Sequence, residues 1–229
     1  QAFITYAVTD AVTVKAGRFL SYSGWETEEP TGLFQYSGTG YAPIFYGYYQ
    51  QGVSVMYSGD GYAFAASAIN DLDNPEERDS EQMATELMAA FMPTEAITLK
   101  GFYMADKIDG TEEDKEKINL WASYSSGPLT LAAEFNSAEN SYALGTESDG
   151  YLLMANYAFE SFGLTVRYHD WDVENANSSA VVEDMSGLTI SPSFALSENL
   201  LVVLEYRMDE NDVTGADTNT FAVEALVSF

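Results

Sequence analysis

Apolar and polar residues alternate one by one along most of this chain. Successive side chains of an extended strand point to opposite faces, so this period marks half-buried strands. In residues 164–171, Leu164, Val166 and Tyr168 share one face, while Thr165, Arg167 and His169 share the other. In residues 200–208, Leu200, Val202, Leu204, Tyr206 and Met208 oppose Glu205 and Arg207. In residues 118–124, Ile118, Leu120, Ala122 and Tyr124 oppose Asn119, Trp121 and Ser123. In the last segment Phe221, Val223, Ala225, Val227 and Phe229 form a wholly apolar face. The pattern predicts thirteen strands, over residues 2–8, 12–20, 46–57, 62–69, 83–92, 96–105, 118–124, 129–136, 151–159, 164–171, 187–196, 200–208 and 220–229. No stretch carries a capped apolar period of 3.6 residues. Residues 83–92 (M-A-T-E-L-M-A-A-F-M) have a helix-forming composition, yet their length and neighbours fit the strand series.

The connections carry a second pattern. Short segments rich in Gly, Pro, Ser, Asp and Asn (9–11, 58–61, 93–95, 125–128, 160–163, 197–199) alternate with long ones (21–45, 70–82, 106–117, 137–150, 172–186, 209–219). Tight hairpins need the first kind. A barrel in an asymmetric membrane has short turns on the inner side and long loops outside. The aromatic last residue, Phe229, suits a membrane–water boundary. The predicted fold class is therefore all-β, a transmembrane antiparallel up-and-down β-barrel forming one domain over residues 1–229. A soluble β-sandwich would explain an edge strand but not the alternation of loop length. Thirteen strands cannot close an antiparallel barrel. The expectation is that strands preceding residue 1 bring the complete barrel to about fourteen to sixteen.

Composition changes this picture in three ways. No run approaches a membrane helix of about 20 apolar residues, but a barrel strand needs only about ten alternating ones. Thirty-six acids against nine bases give a net charge of −27, which argues against binding nucleic acid through phosphates. The absence of cysteine removes thiolate metal sites and thiol nucleophiles.

Acid concentrates in the long connections. Asp71, Asp73, Glu76, Glu77, Asp79 and Glu81 occupy 70–82; Asp106, Asp109, Glu112, Glu113, Asp114 and Glu116 occupy 106–117; Asp209, Glu210, Asp212 and Asp217 occupy 209–219. They form either a solvated, self-repelling surface or a negative vestibule that concentrates cations. Divalent cations could bridge them to one another or to lipopolysaccharide. Asp71-Leu72-Asp73 lacks the spacing and glycine of a calcium loop, so no metal or other cofactor is assigned.

Charges on the inward faces are the candidate pore lining: Lys15, Glu86, Lys100, Glu134, Arg167, His169, Glu205, Arg207 and Glu224. Lipid would not tolerate them, whereas a water-filled lumen would. Arg18 breaks the alternation of its strand, and a bulge near Gly17 would turn it inward. These charges either line an aqueous pore or pair across a closed, plugged barrel. Thirteen or more strands enclose more space than side chains fill, which favours the pore. The connection 21–45 is rich in aromatics and glycine; Trp25, Glu26, Phe34, Tyr36 and Tyr41 mark it as a candidate constriction loop, against an external lid or a contact between barrels.

Residues 1–26 resemble the OmpL-like β-barrel porins of family 2, through Ala16-Gly17-Arg18-Phe19 and Gly24-Trp25-Glu26. Pro43-Ile44-Phe45-Tyr46 and Gly52-Val53 resemble the next strand of that family. The resemblance spans roughly the first sixty residues and is architectural beyond them. It implies an outer-membrane diffusion channel, with strands before this motif, and brings no catalytic residues and no established substrate. The partners expected are outer-membrane lipid and lipopolysaccharide, and ions or small hydrophilic solutes. A homo-oligomer, with a trimer among the options, stays open. An enzymatic barrel would need a set such as His169 with Asp170 and Asp172, and a lone histidine beside acids is more often polar lining. A structural or adhesive barrel binding a partner through its acidic loops is the other alternative.

Overall fold

The computed structural model describes residues 1–26, 28–72, 83–108 and 110–229. The acids Asp73, Glu76, Glu77, Asp79, Glu81 and Asp109 lie outside the described residues. Thirteen strands follow in chain order: β1 (Ala2–Ala7), β2 (Val12–Leu20), β3 (Tyr49–Gly59), β4 (Tyr62–Ile69), β5 (Ala84–Thr94), β6 (Ile97–Lys107), β7 (Asp114–Ser126), β8 (Leu129–Glu139), β9 (Thr146–Ala158), β10 (Gly163–Asn175), β11 (Val181–Ser197), β12 (Leu200–Asn211) and β13 (Ala216–Val227). Each pairs antiparallel with the next in a single meander. Two short helices interrupt the connection from β2 to β3: a 3-10 turn at Pro30–Gly32 and α1 at Ala42–Phe45.

Alternation sets the two faces. Along β5 exposed and buried residues alternate, with Ala84, Glu86, Met88 and Ala90 inside and Thr85, Leu87, Ala89 and Phe91 outside. Pairing on both sides holds this segment extended despite its helix-forming composition. Leu120, Leu153, Val166, Ile190 and Phe221 are among the large apolar side chains left exposed on the outer face. In water such a belt would aggregate; in lipid it is the solvated surface. Aromatic rings collect at the turn end, where Tyr157, Phe159, Phe162 and Phe194 stack in series and Tyr57 packs on Tyr62. That is the girdle expected at a membrane interface.

Several strands run further than the alternation predicted. The expected long connections 106–117, 137–150, 172–186 and 209–219 shrink to 108–113, 140–145, 176–180 and 212–215. Their polar residues lie on ladders that continue outward, where the inner face is still buried by groups such as Lys117, Thr146 and Ser148 and needs few apolar side chains. The expected strand 46–57 starts instead at Tyr49. Pro43 opens α1, and the N–H of Tyr46 caps it on the carbonyl of Ala42, so the chain turns before it extends.

Among the described residues, β1 and β13 each have one partner strand. Both run toward the short-turn end, so they are parallel to each other and cannot complete an antiparallel ladder directly.

The outer face yields a stability prediction. Leu153→Arg should lower the folding free energy in lipid vesicles by about 2–4 kcal/mol, because a guanidinium at mid-membrane depth is poorly solvated. Lys100→Arg, on the inner face, should change it by less than about 0.5 kcal/mol. Urea unfolding monitored by tryptophan fluorescence measures both.

Candidate functional site

The chain between β2 and β3 crosses the concave face of the sheet. It leaves at Leu20 through Ser21–Gly24. Gly24 has a positive φ of 89°, and any side chain there would meet the Tyr46 ring at 2.5 Å. Glycine is therefore required twice over, for backbone conformation and for close approach. The segment then runs past β5, β7 and β8, reaches β10 and β12, and returns through α1.

Three wall carboxylates hold it. Glu134 of β8 accepts from the backbone N–H of Trp25, the hydroxyls of Tyr41 (2.8 Å) and Tyr46, and the Asn136 amide (2.9 Å). Glu86 of β5 accepts from the Tyr22 N–H (2.9 Å), the Ser21 hydroxyl (3.0 Å) and the Gln50 amide. Glu205 of β12 accepts from the N–H (2.9 Å) and hydroxyl (2.6 Å) of Ser37. All three carboxylates are buried, a state that needs such donors.

Cations of the wall take the remaining polar groups of the loop. Arg167 of β10, fully buried, pairs with Glu26 and donates to Ser37 O (2.5 Å) and to Thr189 Oγ1 (2.9 Å). Glu26 also accepts from Gln35 (2.8 Å) and from the N–H of Thr39 (2.7 Å). Arg207 of β12 donates to Gly38 O (2.5 Å) and Thr39 O (2.7 Å), and its Nε lies 2.7 Å from Asp209. Lys117 of β7 donates to the carbonyls of Pro43 and Tyr46, both at 3.2 Å.

Apolar packing completes the attachment. Tyr41, Ile44, Phe45 and Tyr46 form a buried cluster with Ala132, Leu152, Met154 and Val173 of β8, β9 and β10. Trp25 stacks on Phe34 (centroids 6.4 Å apart) and meets the edge of Trp121 of β7 at 5.4 Å.

The predicted site residues therefore divide. Glu26, Glu86, Glu134, Arg167, Glu205 and Arg207 converge on the loop, as do Trp25, Phe34 and Tyr41. Lys15 lies on the inner face of β2, its ammonium 4.7 Å from the Tyr22 ring centroid and 5.2 Å from that of Phe19. Lys100 of β6 lies 4.9 Å over the Trp121 ring. Glu224 of β13 is only partly covered, near Glu205. Tyr36 stays half exposed, away from the buried cluster.

Arg18 differs from expectation. The β1–β2 and β2–β3 pairings run through it with no register shift, opposite Ala2 and Gln51. It thus keeps the backbone parity of Val14 and Ala16, while its guanidinium lies 5.4 Å over Tyr49 and lines a cavity with Pro43, Tyr46 and Lys117. No bulge turns it inward, because Gly17 pairs in step with both neighbouring strands.

His169 is fully buried beneath Tyr41, with Nε2 3.6 Å from Asp209. Gly187 makes the room: a Cβ there would lie 2.3 Å from His169 Cε1. Asp170 and Asp172 alternate to the other face of β10, and Asp170 accepts from the Tyr168 hydroxyl there. The three residues do not form one acid/base group.

Lys117, Asn119, Asn136 and Tyr46 were not anticipated as site residues. Lys117 fell in an expected loop, and Tyr46 in an expected strand. Asn119 and Asn136 are legible as polar residues on the inward parity, and Asn119 accepts from the Gly24 N–H at 3.0 Å.

In the loop, burial first and the Glu134 charge second push the Tyr41 and Tyr46 phenols well above their ordinary 10.0. Both remain donors throughout the neutral range.

A meander that is apolar outside, polar inside and crossed by an inward loop defines a transmembrane β-barrel of the outer-membrane type. Solved porins share the fold. An anion-selective porin from Comamonas acidovorans is 14% identical, with a TM-score of 0.75 over 99% of this chain and 77% of that one. OmpF of Salmonella typhi, in complex with daunomycin, is 15% identical, with a TM-score of 0.73 over 98% and 76%. OprB of Pseudomonas putida is 14% identical, with a TM-score of 0.72 over 100% and 72%. Among curated proteins none matches significantly in sequence. The chain belongs to the family described as "Putative beta-barrel porin-2, OmpL-like", whose model matches residues 1–229. It is an integral β-barrel of the bacterial outer membrane and a porin by family.

The loop contacts generate two predictions. Arg167→Ala should cost roughly 3–5 kcal/mol of stability, because Glu26 is left charged and buried without its partner; denaturant unfolding measures it. The raised phenols give a pH effect. Their neutral form is favoured in the folded state, so their contribution is complete below 10.0 and is lost as pH rises toward the folded values. Ultraviolet titration should show a late phenolate step whose amplitude falls by about two tyrosines in Tyr41→Phe/Tyr46→Phe.

Proposed function

We propose that the barrel is a water-filled channel for passive diffusion of ions and small hydrophilic solutes, with residues 21–45 as its constriction. The observation that carries this reading is the attachment of the loop to the inner wall by Glu86, Glu134 and Glu205. A loop held at mid-barrel narrows a lumen rather than covering its mouth. Lys15, Lys100 and Glu224 then face the passage, and the outer acids favour cations at the mouth. Outer-membrane lipid surrounds the apolar belt, lipopolysaccharide and divalent cations meet the outer acids, and a trimer of such barrels is compatible with that surface. The channel is not an enzyme in this reading, because His169 is sealed under the loop and separated from Asp170 and Asp172.

Single-channel recording of the folded protein in a planar bilayer tests it. Steady, ohmic openings are expected, with a reversal potential in a salt gradient that shows cation preference. Replacing residues 28–39 by a short Gly/Ser linker should raise the conductance. Openings with anion preference would move selectivity from the mouth to Lys15 and Lys100. Silence from folded protein would overturn the channel and favour a structural or adhesive barrel, plugged by its own loop.

A further inference from the structure

Charged groups inside the barrel are not evenly satisfied. Glu26, Glu86, Glu134 and Glu205 each accept from two or more donors, and Arg167, Arg207 and Lys117 all donate to the loop. Lys100 is different. Its ammonium lies over the Trp121 ring and makes no hydrogen bond or ion pair with any described residue. The indole N–H of Trp121 is also buried with no acceptor. That N–H is sealed from solvent, so Lys100 is the donor left for an incoming oxygen.

Both residues line a cavity of about 820 Å³ between the loop and the β6–β7 wall. That volume lies in the range of small-molecule sites, about 300–1,000 Å³. The rest of its lining includes the aromatic residues Tyr22, Trp25 and Phe34. Its buried carboxylate, Glu26, is neutralised by Arg167; its other acid, Glu28, is exposed. The free charge against the wall is thus positive and the surfaces beside it are flat and apolar.

We propose that this cavity is a binding site for a small organic anion with a flat aromatic body, an aromatic carboxylate. The carboxylate pairs with Lys100, and the ring packs against Trp121 and the other aromatic side chains of the lining. Lys100 then sets specificity by charge, and the aromatic lining sets it by shape. As the place where a solute pauses in transit, the site rests on the channel reading above. As a binding site it does not require that current flows.

Benzoate is the probe. Trp25 and Trp121 are two of the three tryptophans, so intrinsic fluorescence of the folded full chain in detergent reports occupancy. Benzoate should quench saturably, with acetate and benzyl alcohol both weaker, since each lacks one half of the recognition. Lys100→Gln should weaken benzoate about tenfold, the loss expected for one charge-assisted contact, and Lys100→Arg should restore it. Retained heat-modifiable migration in electrophoresis shows that each variant is folded. Benzylamine binding as tightly as benzoate, or an unchanged affinity in folded Lys100→Gln, would overturn the proposal. Saturable benzoate binding by protein that is silent in a bilayer would keep the site and remove the channel. Openings that benzoate neither blocks nor binds would do the reverse.

Discussion

Glu134 is the contact on which the interior depends. A carboxylate facing the inside of a barrel must meet water or donors. Here it meets four donors, three of them from the loop: the Trp25 N–H and the hydroxyls of Tyr41 and Tyr46. Those three residues lie at the start and the end of the crossing segment, so one side chain on β8 fixes both limbs of the loop. Glu86, Glu205 and Arg207 fix its flanks and tip. Removing one partner would leave several buried groups unpaired at once, which makes the arrangement cooperative.

The same arrangement separates two electrostatic regions. Inside, Arg167 pairs with Glu26 and Arg207 with Asp209, while Glu86, Glu134 and Glu205 accept from neutral donors. Outside, strand extensions carry Asp149, Asp172 and Asp184 directly opposite one another on β9, β10 and β11. Like charges in register destabilise a ladder, so this surface is held by backbone pairing and by its surroundings rather than by side-chain attraction.

Much of the architecture was legible because its signal is local. The alternation of Leu164, Val166 and Tyr168 against Thr165, Arg167 and His169 is the lipid face against the lumen face, read two residues at a time. Strand ends were less legible. In the strand extensions the buried face is largely polar, as at Lys117, Thr146 and Ser148, so the apolar period that marks a strand is missing there. The aromatic content of residues 21–45 marked the segment as unusual, but its partners were hidden. Glu26 meets Arg167 and Ser37 meets Glu205 across 141 and 168 residues of sequence, and no local pattern encodes such a contact. Arg18 shows the converse. A local irregularity suggested a bulge, and continuous pairing on both sides removed it.

Hydrogen–deuterium exchange on the folded protein, resolved to peptides, tests the docked loop most directly. Amide protection reports how often a donor leaves its acceptor. The amides of Tyr22, Trp25, Ser37 and Thr39 donate to buried carboxylates, so a peptide spanning residues 21–46 should exchange as slowly as the neighbouring strands. The turns at 140–145 and 212–215 should exchange fast. A 21–46 peptide that exchanges as fast as those turns would contradict the account, because the loop would then be free of the wall.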